Sequence, residues 1–288
     1  MARTYSDIYI QARRQLKDAG VEAYGLEARL IVAQAAGKSM EKLMQDLNLY
    51  ASDEFAVTVR QMVDRRIQGE PVPYITGTWE FYGVPLEITR DALIPRNDTE
   101  VLVRAAIALF EGRNGTPRIL DLCAGSGCVG CAMGVHMPGA RVIMVDNSAR
   151  ALSLCRRNIT KNGLDVRVMC VQADVTQTPP MLLGTFDLIT CNAPYIPTAE
   201  LASLDSSVKD YEPIQALDGG EDGLDIIRPV IRLWKSVLKD NGAIMLEIGE
   251  GQAPAVRELL AQAGFTSIYA LKDTAGTDRV MAARLKRK

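Results

Sequence analysis

Histidine is almost absent from this sequence: His136 is the single copy among 288 residues. A Ser-His-Asp triad, a Cys-His dyad or a two-histidine metal site must use His136 or does not exist. Its position just before Pro138-Gly139 suits a surface or capping residue better than a catalytic one. No apolar run approaches the ~18 residues that would cross a bilayer. The stretch from Met1 to Gln15 lacks the apolar segment of a signal peptide, so a cytoplasmic protein without a membrane partner is expected. An excess of positive charge is also missing: 33 Lys and Arg stand against 35 Asp and Glu, a net charge of −2. Residues 1–75 carry ten of each sign, so no basic half hides inside the total. Nothing supplies the positive field that gathers nucleic acid, and no direct nucleic-acid partner is expected. The one dense basic run, Arg284-Leu285-Lys286-Arg287-Lys288, reads as a solvated tail.

The six cysteines, at 123, 128, 131, 155, 170 and 191, are expected to be reduced in the cytosol. Cys128 and Cys131 form a CxxC, but no second pair at similar spacing exists for a structural zinc site, and no metal is assigned. Small buried apolar residues are the plainer reading, with a thioredoxin-like redox pair as the alternative.

What is present is ample apolar material: 48% of residues, with 24% charged, the balance of a globular protein with a sizeable core. The length fits one large domain or two unequal ones. Residues 1–70 show helical periodicity. Tyr5, Ile8, Tyr9, Ala12 and Leu16 form one stripe, Leu26, Leu30 and Ala33 a second, Met40, Leu43, Met44 and Leu47 a third. Phe55, Val59, Met62, Val63 and Ile67 form a fourth, with Ser52 as its N-cap and Gly69-Glu70-Pro71 as its stop. Residues 71–92 change character: prolines and glycines punctuate short apolar-aromatic pieces, the pattern of a linker with a β-hairpin.

From residue 93 to 288 strands and helices alternate. Strands are expected at 118–122, 140–146, 166–171, 186–191 and 243–247, with helices from about 127, through 152–162, and over 224–238. This predicts an α/β fold with a mostly parallel sheet covered on both faces. Ligands of such sheets bind at the carboxyl ends of the strands, where the strand order reverses.

Two turns carry chemistry. Asp121, Cys123, Ala124, Gly125, Ser126 and Gly127 lie where the first of these strands passes into a helix. Gly125-x-Gly127-x-x-Gly130 followed by Asp146 at the end of the next strand matches a dinucleotide fingerprint. Against a pyrophosphate stands Asp121: a carboxylate inside a strand calls for a cationic partner, which the amino end of S-adenosylmethionine provides. Both ligands stay in view. The second turn, Cys191-Asn192-Ala193-Pro194-Tyr195, ends the fourth strand. The Asn192 side-chain carbonyl can accept from a substrate NH₂. A backbone carbonyl before Pro194 can accept the second hydrogen, and Tyr195 offers a face for stacking. Two acceptors would orient a weakly nucleophilic amide or exocyclic amine and favour charge developing on its nitrogen. No histidine is required for that chemistry.

Taken together, the chain resembles the HemK-type protein-(glutamine-N5) methyltransferases that act on peptide chain release factors. The resemblance rests on Pro73-Tyr74-Ile75-Thr76-Gly77, Glu80 to Gly83, Leu93 to Glu100, Asp121 to Gly127, Asp146, Asp174-Val175, Asn192 to Tyr195, Tyr211-Glu212-Pro213 and Ala216 to Gly223. It implies a small all-helical N-terminal domain for substrate recognition and a class I methyltransferase domain, Rossmann-like, with a seven-stranded sheet. It implies S-adenosylmethionine held by Asp121, Cys123, Ala124, Gly125, Ser126, Gly127, Asp146, Asn147, Asp174, Val175 and Asn192. It also implies a catalytic, substrate-binding turn of Asn192, Ala193, Pro194 and Tyr195. The substrate would be the glutamine of the Gly-Gly-Gln motif in class 1 release factors, and a monomer is expected. Three positions depart from the family. Cys123 replaces a glycine, Asn97 a proline, and Ala193 the first proline of Asn-Pro-Pro-Tyr. The last should cost some rigidity, an effect of about 0.4–1 kcal/mol, while Pro194 still holds position 193 extended.

Four other functions fit parts of the pattern. They are a ribosomal-protein glutamine methyltransferase, a nucleic-acid amino-methyltransferase acting on adenine or guanine, a nicotinamide-dependent oxidoreductase, and a binding protein that retains the fold without turnover.

Overall fold

The computed structural model describes residues 3–113 and 115–286. It divides into two compact units: Met1–Thr78 with Asp205–Tyr211, and Trp79–Leu204 with Glu212–Lys288.

In the first unit, helices α1 (Tyr5–Asp18), α2 (Tyr24–Ala35), α3 (Met40–Gln45), α4 (Asp53–Ile67) and α5 (Val72–Thr76) enclose their own core. Two short strands, β1 (Arg3–Thr4) and β2 (Tyr50–Ala51), pair antiparallel across it. Thr4 and Asp7 form a capping box at the start of α1, and the Ser52 hydroxyl caps α4 as its sequence suggests. Ile8, Ala12 and Leu16 are buried, in line with the first stripe. The second stripe holds only in part: Ala33 is buried and Leu30 half-buried, but Leu26 is exposed, and α2 also buries Ala28, Ile31 and Val32. A helix packed on several sides shows little amphipathic contrast, so periodicity points poorly there. In α3 only Leu43 is buried, while Met40 and Met44 face solvent.

In the second unit, a hairpin of β3 (Thr78–Phe81) and β4 (Val84–Glu87) leads into α6 (Glu100–Phe110). Then follow β5 (Arg118–Leu122), α7 (Cys128–His136), β6 (Arg141–Asp146), α8 (Ala149–Lys161), β7 (Val168–Gln172) and β8 (Phe186–Cys191). The chain continues through the short helix α9 (Ser206–Lys209), which belongs to the first unit. A helical stretch comes next: α10 (Ile227–Pro229) runs on as a π turn, Val230–Trp234, and a 3-10 turn, Lys235–Val237. The order ends with β9 (Leu238–Glu247), α11 (Ala253–Gln262), β10 (Phe265–Lys272) and β11 (Asp278–Leu285). Seven strands form one sheet in the order β10-β11-β9-β8-β5-β6-β7. The five from β9 to β7 run parallel, and β11 joins antiparallel to both β9 and β10. The expected class I α/β architecture is therefore present.

The central strands β5 and β8 and the second half of β9 are buried on both faces and read as near-continuous apolar runs, as covered parallel strands do, whereas the edge strand β7 exposes Met169. Trp234 fills the core, its indole N–H donating to the Val175 carbonyl at 2.9 Å. From β5 the chain steps outward to β6 and β7, then returns to β8 on the other side of β5. That reversal opens the crevice between β5 and β8 at their carboxyl ends. The basic terminal run is not simply a solvated tail. Arg284 and Leu285 are part of β11, Leu285 is buried, and the Arg284 guanidinium donates to the Asn241 carbonyl. Arg287 and Lys288 lie outside the described residues. His136 ends α7 on the surface, its Nε2 2.9 Å from the Tyr82 carbonyl oxygen. No described helix is long and apolar enough to cross a membrane.

Candidate active site

The carboxyl ends of β5, β6, β7 and β8 surround a cavity of about 470 Å³. At its floor lies Asp121, on β5 opposite Thr190 of β8. The Thr190 hydroxyl donates to Asp121 Oδ1 at 2.8 Å, while Oδ2 is buried with no partner. Burial pushes this carboxyl up to about 7, against the pull of the Thr190 hydrogen bond. A buried carboxylate oxygen lacking a partner at a cavity wall fits a cationic ligand group.

After β5 the backbone turns sharply: Cys123, Gly125 and Gly127 all take positive φ. The Ala124 N–H donates to the Val145 carbonyl at 3.0 Å, tying the turn to β6. Gly130, in the first turn of α7, lets the helix lie against that strand. A Cβ there would sit 2.2 Å from the Met144 sulfur. Asp146, at the end of β6, accepts from Gly125 N–H at 2.8 Å and from Ser148 N–H at 2.9 Å. Each carboxylate oxygen keeps lone pairs for hydroxyl donors. Asp174 is held by Thr176, whose N–H and hydroxyl both donate to its Oδ1. Fully buried Asn158 of α8 joins β4 to the turn, donating to the Glu87 and Ser126 carbonyls and accepting from Glu87 N–H.

Asn192 follows β8 directly. Its Nδ2 donates to the Thr99 hydroxyl at 3.2 Å. Beyond it the chain is clamped: Gln252 Nε2 donates to the Tyr195 carbonyl at 2.9 Å, and Ile196 N–H to the Leu217 carbonyl at 3.0 Å. Gly223 packs so tightly here that a Cβ would lie 2.2 Å from the Tyr195 carbonyl oxygen. The glycine-rich segment after Leu217 is therefore a packing partner of the Asn192 turn. The Tyr195 hydroxyl donates to Glu247 Oε1 at 3.3 Å. Burial and the Glu247 charge raise the Tyr195 phenol well above its ordinary range, so it remains a donor.

Asp121, Cys123, Ala124, Gly125, Ser126, Asp146, Asn147, Asp174, Val175, Asn192 and Pro194 all line the one cavity. Gly127, Ala193 and Tyr195 do not. Gly127 sits behind the turn, Ala193 is buried, and the Tyr195 side chain is drawn toward Glu247. Of the CxxC pair, Cys131 is buried, whereas Cys128 reaches the cavity wall, and the six cysteines are all free thiols.

Sequence reasoning assigned no role to Arg96, Thr99, Arg150, Ile214 or Gln215, which also line the cavity. Arg96 and Thr99 stand in a quoted family stretch, which was the available signal. Buried Glu212 pins the 213–216 wall by accepting from Ile94 N–H at 3.1 Å and from the Arg96 guanidinium.

Two family descriptions match: PrmC N-terminal domain over residues 7–77 and Methyltransferase small domain over residues 99–204. A release factor glutamine methyltransferase of Geobacter sulfurreducens is 36% identical over 95% of this chain and 94% of its own length. The chain belongs to the release factor glutamine methyltransferase family. The family member from Agrobacterium fabrum is 37% identical over 98% of this chain and 97% of its own. A solved methyltransferase from Pyrococcus furiosus, 16% identical, superposes with a TM-score of 0.52 over 79% of this chain and 98% of that one, a likeness of fold. The protein is thus a methyltransferase, and methyltransferases of this kind draw the methyl group from S-adenosylmethionine. The orphaned Asp121 oxygen and the Asp146 carboxylate suit the amino group and the ribose hydroxyls of that donor. The dinucleotide reading loses its ground.

Proposed function

We propose that this chain methylates the side-chain amide nitrogen of the glutamine in the Gly-Gly-Gln motif of class 1 peptide chain release factors. The observation that carries the reading is the shared cavity. Asn192 and Pro194 of the strand-end turn line the same space as Asp121, Asp146 and Asp174. Names of relatives such as those from Geobacter sulfurreducens and Agrobacterium fabrum point to a release-factor glutamine, and the Gly-Gly-Gln motif follows from the family resemblance.

In this reading Asp121 receives the amino end of the donor, Asp146 with Asn147 the ribose, and Asp174 with Val175 the adenine side. The turn from Cys123 to Gly127 lines the path between them. The bound donor supplies an electrophilic methyl group on a sulfonium. Asn192 Oδ1 accepts one hydrogen of the glutamine amide, and the carbonyl of Ala193 accepts the other. That holds the nitrogen in line with the methyl and stabilises charge as it develops. The proton becomes acidic once the nitrogen carries the methyl, so no side-chain base is needed. Tyr195 supports the turn through Glu247 instead of stacking on the substrate. Lacking an aromatic face at the cavity and a basic surplus, the protein is poorly equipped for an extruded base. The helical unit is assigned to release-factor recognition, with the enzyme acting as a cytoplasmic monomer on protein.

The test is methyl transfer from labelled donor to release factor and, in parallel, to ribosomal protein and to nucleic acid, with the product mapped by mass spectrometry. Label on the Gly-Gly-Gln glutamine is expected. Folded, donor-binding protein that labels only one of the other substrates sinks the proposal.

A further inference from the structure

We propose that Thr99 is a positioning residue: its hydroxyl fixes which end of the Asn192 amide faces the cavity. The inference rests on the amide-methylating function above and adds a residue to it. An asparagine amide has an accepting end and a donating end of nearly equal shape. Only the orientation with Oδ1 toward the substrate accepts a glutamine N–H, so something must select it.

Thr99 stands immediately before α6, a position where a threonine commonly caps the helix with its side chain. Here it makes no cap bond. It is 1% exposed, and its oxygen takes the Asn192 Nδ2–H at 3.2 Å. The buried carboxylate of Glu247 lies beside it, and Glu247 Oε2 has no hydrogen-bond partner among the described residues. Glu247 ends β9 and is 1% exposed, with one oxygen accepting from Tyr195.

The direction of the chain of bonds follows from proton counting. An ionised carboxylate only accepts. The Thr99 hydroxyl has one proton, and once Glu247 is ionised its unpartnered oxygen attracts that proton in preference to a neutral amide oxygen. The Thr99 oxygen is then left with lone pairs alone, so Asn192 must present Nδ2–H to it. Oδ1 is thereby turned away, and among the described residues no donor engages it. The Tyr195 hydroxyl, donating to the same carboxylate, holds Glu247 in place from the far side. Polarity thus passes from Glu247 through Thr99 to Asn192, joining the ends of β9 and β8 with the start of α6.

Thr99→Val keeps the shape and removes the hydroxyl. With wild-type protein and release factor as the reference, kcat is expected to fall about tenfold, and S-adenosylmethionine affinity to stay within about twofold. Thr99→Ser, which restores the hydroxyl, should recover most of the lost kcat. Glu247→Gln removes the obligate acceptor and should lower kcat while flattening the acid side of its pH profile. Tyr195, Arg279 and Asp98, with the thiols of Cys128 and Cys191, are the other titratable or charged groups facing Glu247, and they are unchanged in that variant. A Thr99→Val protein with wild-type kcat overturns the inference alone. So does a Thr99→Ser protein as impaired as Thr99→Val, because the role would then be packing. Wild-type protein that leaves release factor unmethylated overturns the proposed function, and this inference with it.

Discussion

Asp121→Asn should make the empty protein more stable and the loaded protein harder to form. In the folded chain burial lifts the Asp121 carboxyl from its ordinary 3.8 to about 7. A carboxyl whose folded value is raised contributes stability that is complete below the unfolded value and disappears as pH rises through the folded one. About three units at 1.36 kcal/mol each is about 4 kcal/mol, present near pH 4 and absent at pH 8. Asparagine never ionises, so at pH 8 the variant avoids this penalty. It also puts Nδ2 where Oδ2 now lies without a partner, and an unpaired buried donor costs about 1–3 kcal/mol. The Thr190 hydroxyl can still donate to Oδ1. The balance is a gain of about 1–3 kcal/mol at pH 8 in the absence of donor, or several degrees in Tm. At pH 5 wild type has regained most of the difference, and the advantage should vanish. Calorimetry with S-adenosylmethionine at pH 8 should show affinity lower by about ten- to a hundredfold, from loss of a charged hydrogen-bond acceptor. Thermal melts at the two pH values and one titration decide the matter. Equal destabilisation at pH 5 and pH 8, or unchanged donor affinity, refutes the assignment of Asp121 as an unpaired buried carboxylate awaiting a cation.

Asn192→Ala should reduce kcat by about a hundredfold or more, the scale of losing one preorganised charge-stabilising group, while calorimetry still detects donor binding. Gly130→Ala would drive a methyl into Met144 at the α7–β6 contact, and denaturant titration should show a loss of about 1–3 kcal/mol. Ala193→Pro should raise stability by about 0.4–1 kcal/mol without lowering kcat, since Pro194 already keeps position 193 extended. A fall in kcat on that change would mean that the amide N–H at position 193 is in use.

The parts of the site that could be read from the chain are those whose meaning lies in one strand and the turn after it. Asp121 announced itself because a charge inside an apolar strand demands an explanation. Asp146 did so by its place at the end of the next strand, and Asn192 by the proline two residues on. Thr99, Glu212 and Glu247 could not be weighed in the same way. Each acts only through groups distant in sequence: Thr99 on Asn192, Glu212 on Ile94 and Arg96, Glu247 on Tyr195. Tyr195 shows the limit most plainly. Its type and position suggested a stacking face, yet the structure spends its hydroxyl on Glu247 and keeps the ring off the cavity wall. A tyrosine carries an apolar ring and a polar tip, and sequence does not say which of them a site will use. That choice bears on substrate. In the proposed reading a flexible glutamine amide needs only two acceptors and a fixed Asn192, with no ring to stack on. The histidine-poor composition fits this arrangement, because orientation by hydrogen bonds of fixed polarity replaces an acid–base pair. Burial raises two carboxyls at the cavity end of the sheet, Asp121 and Glu247, to about 7. In the proposed reading one receives the cationic end of the donor, and the other sets the direction of the bonds that aim Asn192.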